Sequence, residues 1–501
     1  MSLKSVHCGA LAGALLFVAA PLAAQGSITP ETIHHRLGVI ADDSMMGRDT
    51  PSPGLEMTAQ FVADQFASFG LEPGGEDGTW FQRYPIYRKQ LDREHSRVTF
   101  SAGGVTSDLS LAKDAARWFG PVPGGEVQGP AIVLGGALDA ARVGELDLTG
   151  KVALVVIDMG NLRDQGLRQG LFAIYNARPR AVVAISNRPQ EEFASRVERQ
   201  RRPRTVLEEA GSGEGTAAVE VREGAAAAVL EAAGIDAAAI RASTAMVTRE
   251  VPDLNVSVEL RDSVLSRDSA PNTIGILRGS DPRLRNQYLV YSAHMDHLGI
   301  KPGKPDSIAN GADDDGSGTV AVMMLAEAFA RSPERPKRSL LFITVSGEEK
   351  GLWGSAHFTD HPTVPLEDIV ADINIDMIGR NWADTIVAIG KEHSDLGATL
   401  NRVNAEHAEL GMTAIDDLWP EERFYSRSDH FNFARKGVPI LFFFNGVHED
   451  YHQVSDELDK IDTEKMSRII KLLYYLGRDV ADAPERPQWN PESYDKIVEG
   501  N

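Results

Sequence analysis

A chain of 501 residues is too long for one ordinary core, and 42% hydrophobic with 25% charged residues describes a soluble globular protein, so two domains and a removable leader are expected. A formal net charge of −21 argues against nucleic acid as a partner, because no basic surface dominates. The basic stretch 196–204 is the one local exception and reads as a solvated loop.

Lys4 and His7 precede an apolar run over residues 9–24 that ends in the small pair Ala23 and Ala24. The run is too short to span a bilayer comfortably and fits a secretory signal peptide over residues 1–24. Cys8, the only cysteine, stands before that run, so the mature chain would hold no disulfide and no thiol nucleophile. The expected location is the periplasm or medium of a bacterium, with no membrane association once the leader is removed. Thr29-Pro30-Glu31 then marks a helix start, and Phe61, Val62, Phe66 and Phe69 recur at helical spacing over residues 56–69. Gly70 ends that helix.

From about residue 110 to 257 the texture changes to glycine-rich turns, short β-branched strands at 152–157 and 181–185, and alanine-rich helical pieces at 225–233. This is read as an inserted domain over 111–257, interrupting a catalytic domain made of 25–110 and 258–485. A surface tail follows at 486–501. Beyond Asn272 apolar strands alternate with amphipathic helices, which indicates an α/β fold with a mostly parallel sheet between helices. Strands are expected at 273–277, 288–292, 339–345, 371–375 and 440–444, and helices at 319–330 and 464–477.

Five segments of chemistry follow these strands, where open α/β sheets bind ligands. His294 leaves a strand with Asp296 two residues on, a pattern suited to a neutral imidazole metal ligand whose other nitrogen is held. Asp313, Asp314 and Asp315 enter a helix together, and three adjacent carboxylates are costly to bury without a cation. Glu348 and Glu349 point different ways, so one can bind metal while its neighbour meets a water. Asp376 stands at a strand end, and His452 follows Tyr451 beyond the last apolar strand. Ser428-Asp429-His430 stand side by side, but a triad is defined by geometry and not by adjacency, and no Gly-x-Ser-x-Gly nucleophile elbow appears in the chain. His297, His430 and His448 read as pocket lining.

Together the motifs Ala293-His294-Met295-Asp296, Asp314-Asp315-Gly316-Ser317-Gly318, Gly347-Glu348-Glu349, Asn374-Ile375-Asp376-Met377 and Tyr451-His452 resemble, in order, those of the co-catalytic two-zinc aminopeptidases. This family of zinc exopeptidases also includes glutamate carboxypeptidases. Residues 148–155 are similar to part of a protease-associated domain, which makes the insert a smaller β-rich domain of that kind. The resemblance implies two Zn²⁺ per chain and peptide substrates. Asp314 would bridge the ions through a residue whose bond to Asp315 is cis, with Asp313 its rival for the bridge. His294 and Asp376 would complete one metal, Glu349 and His452 the other. Glu348 would be the general base, Tyr451 would stabilise the oxyanion, and Asp296 would orient His294. The expected activity is removal of N-terminal residues from peptides. A carboxypeptidase or dipeptidase of the same chemistry, a single-zinc glutaminyl cyclase and a non-catalytic binding protein are the alternatives; the last predicts lost ligands, and none is lost.

Overall fold

In the computed structural model the described residues are 25–120, 122, 125–207, 216–303 and 305–499, so the leader expected over 1–24 lies outside them. They form two compact units, one of residues up to Tyr84 together with Ser269–Asn501, the other Pro85–Asp268. Among the described residues no helix is long and apolar enough to cross a membrane.

The first unit is built on a mixed sheet. Its strands include β1 (Asp262–Leu277, entering this unit at Ser269), β2 (Tyr288–His294), β3 (Ser339–Val345), β4 (Ile369–Ile375), β5 (Thr385–Ile389), β6 (Thr413–Ile415) and β7 (Ile440–Phe444). Their spatial order is β6-β5-β7-β4-β2-β3-β1. The four central strands β7, β4, β2 and β3 run parallel. All their residues are buried, as strands covered on both faces must be. Alternate side chains feed two cores: Leu340 and Phe342 point to one, Leu341, Ile343 and Val345 to the other. Each such aliphatic or aromatic side chain contributes about 1.5–3 kcal/mol on full burial.

The helices are α1 (Pro30–Ile40), α2 (Pro53–Phe69), α3 (Gly318–Ala330), α4 (Trp353–Asp360), α5 (Leu396–Glu406) and α6 (Thr463–Asp482). Helix α2 starts earlier than its hydrophobic period suggests, because the Ser52 hydroxyl accepts a hydrogen bond from Leu55 N (3.1 Å) with Pro53 in the first turn. Helix α6 runs past Gly477, the residue expected to stop it. There the glycine serves a close approach: a Cβ would stand 1.6 Å from the Tyr291 hydroxyl, which donates to Leu473 O at 2.9 Å. Strands β5 and β6 were not expected from the sequence. They are short, and β5 follows the exposed Trp382 and a polar turn that obscure its apolar pattern.

The second unit holds an eight-stranded sheet. Its central strands Val127–Gly136, Val152–Val156, Ala181–Ser186 and Ala217–Arg222 are parallel neighbours. Helices Gln165–Asn176, Gln190–Arg199 and Glu223–Ala232 connect or flank them. Strands Arg97–Ala102 and Val105–Ser110 belong to the same sheet, since the former pairs with Met246–Glu259. The unit therefore takes in residues before 111.

Candidate metal centre

The sheet sets the site at the carboxyl ends of its parallel strands. His294 is the last residue of β2, Asp376 follows β4, and Glu348 and Glu349 follow β3 by a short turn. Asp313, Asp314 and Asp315 precede α3, and Tyr451 and His452 lie on the loop beyond β7. Such strand ends leave their last side chains free of sheet pairing and aimed at the crevice above. Gly311 (φ 52°) makes the turn into the aspartates, where a Cβ would stand 2.2 Å from Asp314 O. The Asp314–Asp315 peptide is cis.

Asp314 stands between two groups. Its Oδ1 lies 3.4 Å from His294 Nε2, which is also 3.7 Å from Asp376 Oδ1. Its Oδ2 lies 3.2 Å from His452 Nε2, and that nitrogen is 3.3 Å from Glu349 Oε2. Asp313 faces elsewhere: Oδ1 accepts from Gly379 N (2.6 Å) and Oδ2 lies 3.3 Å from His448 Nε2. Asp315 is a backbone hub, accepting from Gly318 N, Met377 N and His294 N. Burial and the Asp376 charge raise its pKa well above the usual range.

The other expected residues are also brought here. Glu348, Tyr451, His294, Asp314, Asp376 and His452 line one cavity of about 40 Å³. Burial raises the Glu348 pKa well above the carboxylate norm. Burial also works to raise Glu349, but the adjacent His297 and His452 imidazoles carry it down to about 2. For His452, burial works downward while Asp314 and Glu349 lift the pKa to about 9. The Tyr451 ring stacks on His452 with centroids 3.9 Å apart, and burial raises its hydroxyl. Asp296 does more than touch His294. The His294 ring Nδ1 reaches the Asp296 backbone oxygen at 3.2 Å, while the carboxylate accepts from the Thr50 hydroxyl (3.0 Å) and from Glu348 N (3.2 Å).

Two residues carry more of this site than the sequence suggested. His297, read as pocket lining, is fully buried with Nδ1 2.9 Å from Glu349 Oε1 and 3.7 Å from Asp314 Oδ2. Its position three residues after His294 on an irregular turn gave no periodic signal. Arg48 is fully buried and donates to the carbonyl oxygens of Ile40, Met295, Asn310 and Gly311, tying the site's loops together. Burial lowers its pKa, opposed by Asp296, Asp314, Asp456 and Asp315. It comes from far upstream, with no motif to flag it.

Several buried polar atoms here lack any hydrogen-bond partner: both His297 ring nitrogens, Asp314 Oδ2, Glu349 Oε1 and Asp376 Oδ1. Each such orphan costs about 1–3 kcal/mol unless something else satisfies it. Two sets, His294/Asp314/Asp376 and His297/Asp314/Glu349, hold ligand atoms within 4.8 Å of one another. Ligand atoms around a tetrahedral ion with ~2 Å bonds stand roughly 3.3 Å apart, which the spacings above match. The mixed imidazole and carboxylate donors suit a divalent transition metal.

Residues 272–477 match the sequence profile of peptidase family M28. Aminopeptidase YwaD from Bacillus subtilis is 26% identical over 46% of this chain and 49% of its own length. A probable zinc metalloprotease from Pyrenophora teres f. teres is 25% identical over 45% and 55%. A probable leucine aminopeptidase from Trichophyton verrucosum is 26% identical over 41% and 58%. The chain thus spans about half the length of the curated relatives it matches. The solved aminopeptidase from Aneurinibacillus sp. strain AM-1 shares the fold, with a TM-score of 0.51 and 19% identity over 93% of this chain and 97% of that one.

Proposed function

For a chain whose residues 272–477 belong to peptidase family M28, we propose a two-zinc aminopeptidase that hydrolyses N-terminal peptide bonds. The observation that carries this reading is Asp314, whose two carboxylate oxygens face two separate imidazole and carboxylate groups. In the proposed centre His294, Asp314 and Asp376 hold one ion, and Asp314, Glu349 and His452 hold the other. When bound, the zinc ions supply Lewis acidity that polarises the scissile carbonyl and lowers the pKa of water towards ~7.

The chain's own residues do the rest. The Glu348 carboxylate accepts the proton of the attacking water and passes it to the leaving amine. Its backbone is fixed by Asp296 Oδ1, so the base keeps its place during the transfer. The Tyr451 hydroxyl donates to the oxyanion that forms on the carbonyl. A free α-amino group on the substrate meets the acids Glu348 and Asp376 in the same cavity. The likeness to proteins named as aminopeptidases supports this choice of substrate end. The apolar run over residues 9–24 supports export to the periplasm or medium.

One observation favours a second reading. Arg427 also lines the cavity, and an arginine there would suit the free carboxylate of a carboxypeptidase substrate. Its guanidinium stacks over Phe424 at 4.7 Å and so is held in place. Amino-acid anilides and N-blocked peptides with a free carboxyl group separate the two. Turnover of the anilides alone supports the aminopeptidase, and turnover of the blocked peptides alone replaces it. Metal analysis that finds one ion per chain removes the two-zinc centre.

A further inference from the structure

Behind Asp376 a chain of buried polar groups runs down the sheet. Asp372, Asn374 and Asp376 alternate along and beyond β4, so they share a face. Ser292 on β2 is in register with Asn374 and meets two of these groups: its Oγ lies 2.7 Å from Asp372 Oδ1 and 2.8 Å from Asn374 Oδ1. Asn374 Nδ2 lies 3.2 Å from Ser428 Oγ, which in turn lies 2.9 Å from Asp376 Oδ2. Asp372, Ser292, Asn374, Ser428 and Asp376 are all buried.

Counting hydrogens fixes the direction of this chain. An ionised Asp376 can only accept, so Ser428 spends its single hydrogen on it. Ser428 must then accept from the Asn374 amide, which turns the Asn374 carbonyl towards Ser292. Ser292 spends its one hydrogen on that carbonyl. Nothing then remains for Asp372, 2.7 Å away, unless Asp372 itself donates.

We propose that Asp372 is a positioning residue that carries a proton as a neutral carboxylic acid and heads a one-way hydrogen-bond chain, through Ser292, Asn374 and Ser428, that holds Asp376 Oδ2 and leaves Oδ1 for the metal. The positioning role rests on the reading of Asp376 as a zinc ligand. Oδ1 is the oxygen facing His294 Nε2 and has no hydrogen-bond partner. Burial, followed by the nearby charge of Asp429, raises the Asp372 pKa to about 8 against the opposing effect of the Ser292 hydroxyl, which agrees with the count. Asp429 has its own donor in Ser355, 2.5 Å away.

The test has two arms on the full chain. In the infrared spectrum at neutral pH, wild type minus Asp372→Asn should contain the carbonyl band of a buried carboxylic acid. The difference isolates this group from other buried acids, and no such band overturns the proposal. In the second arm, zinc affinity is measured by chelator competition. Asp372→Asn keeps a donor towards Ser292 and should bind zinc as wild type does. Asp372→Leu and Ser428→Ala interrupt the chain and should weaken one ion by about tenfold or more. An Asn variant as impaired as the Leu variant, or wild-type affinity in both interrupted variants, overturns the positioning role. If Asp372→Leu does not fold, Ser428→Ala and the infrared arm still decide. A wild-type chain that takes up no zinc overturns the parent reading and the positioning role with it, while the infrared difference still reports the proton.

Discussion

Each of the two units buries carboxylates beside a parallel sheet, and they treat them differently. In the second unit Glu220 is fully buried, but the chain supplies its counter-charges: Arg188 Nε lies 3.0 Å away, Arg196 Nε 2.8 Å, and the Ser186 hydroxyl donates at 2.5 Å. In the first unit Asp314 and Glu349 have imidazoles as their nearest partners, Asp376 has the Ser428 hydroxyl and then His294, and several of their oxygens are unpaired. Arg48, the buried cation nearby, spends its donors on backbone carbonyls. A buried acid with its own cations is a structural element, whereas buried acids without them call for a charge from outside.

The largest expected effect separates chemistry from charge balance. Glu348→Gln should lower kcat/KM by ~10²–10⁴-fold while zinc content stays at the wild-type level. Activity within about tenfold of wild type would remove Glu348 as the base. Next comes removal of the metal. If the acids of the first unit depend on it, the chelated chain should melt at a lower temperature. Zinc restored at a thousandfold excess over its dissociation constant should add about 4 kcal/mol. Thermal unfolding that ignores both chelator and zinc would break the contrast between the units.

The converse test lies in the second unit. Glu220→Ala leaves Arg188 and Arg196 without their shared carboxylate and should cost about 3 kcal/mol, the low end for a broken buried pair because both arginines keep some access to water. Zinc binding should not change. Denaturant titration of the whole chain with a zinc measurement on the folded protein checks both halves. A variant as stable as wild type would show that Glu220 is not a structural anchor.

The strand ends explain how much of this could be read in advance. The apolar runs that form β2, β3, β4 and β7 are continuous because they are buried on both faces, so their positions and the acids and imidazoles that follow them stand out in the sequence. The short β5 and β6 carry too few residues to show a period. Arg48 and His297 work through contacts made by irregular backbone between segments far apart in the chain, a relation that spacing does not encode. The hydrogen-bond chain from Asp372 was half visible, since Asp372, Asn374 and Asp376 alternate. Its other links, Ser292 and Ser428, come from different segments.

His430 offers a third treatment of a buried titratable group, and the smallest expected effect. Its ring stacks on Phe442 with centroids 4.3 Å apart, and Nε2 donates to Tyr425 O at 2.8 Å. Burial lowers its pKa to about 3, so the folded chain holds it neutral, with no counter-ion among the described residues. The unfolded chain protonates the same imidazole near pH ~6.5. Between that value and about 3 the unfolded state binds a proton that the folded state does not, so stability must fall as pH falls through this window. Above pH ~7 neither state is protonated at His430 and its contribution is flat. The slope should reach about 1.4 kcal/mol per pH unit at most. In His430→Phe this part of the slope should vanish, although the loss of the bond to Tyr425 lowers stability at every pH. Urea titrations of both chains from pH 7 to pH 5 measure the difference, and equal slopes would show that His430 is not held neutral by the fold.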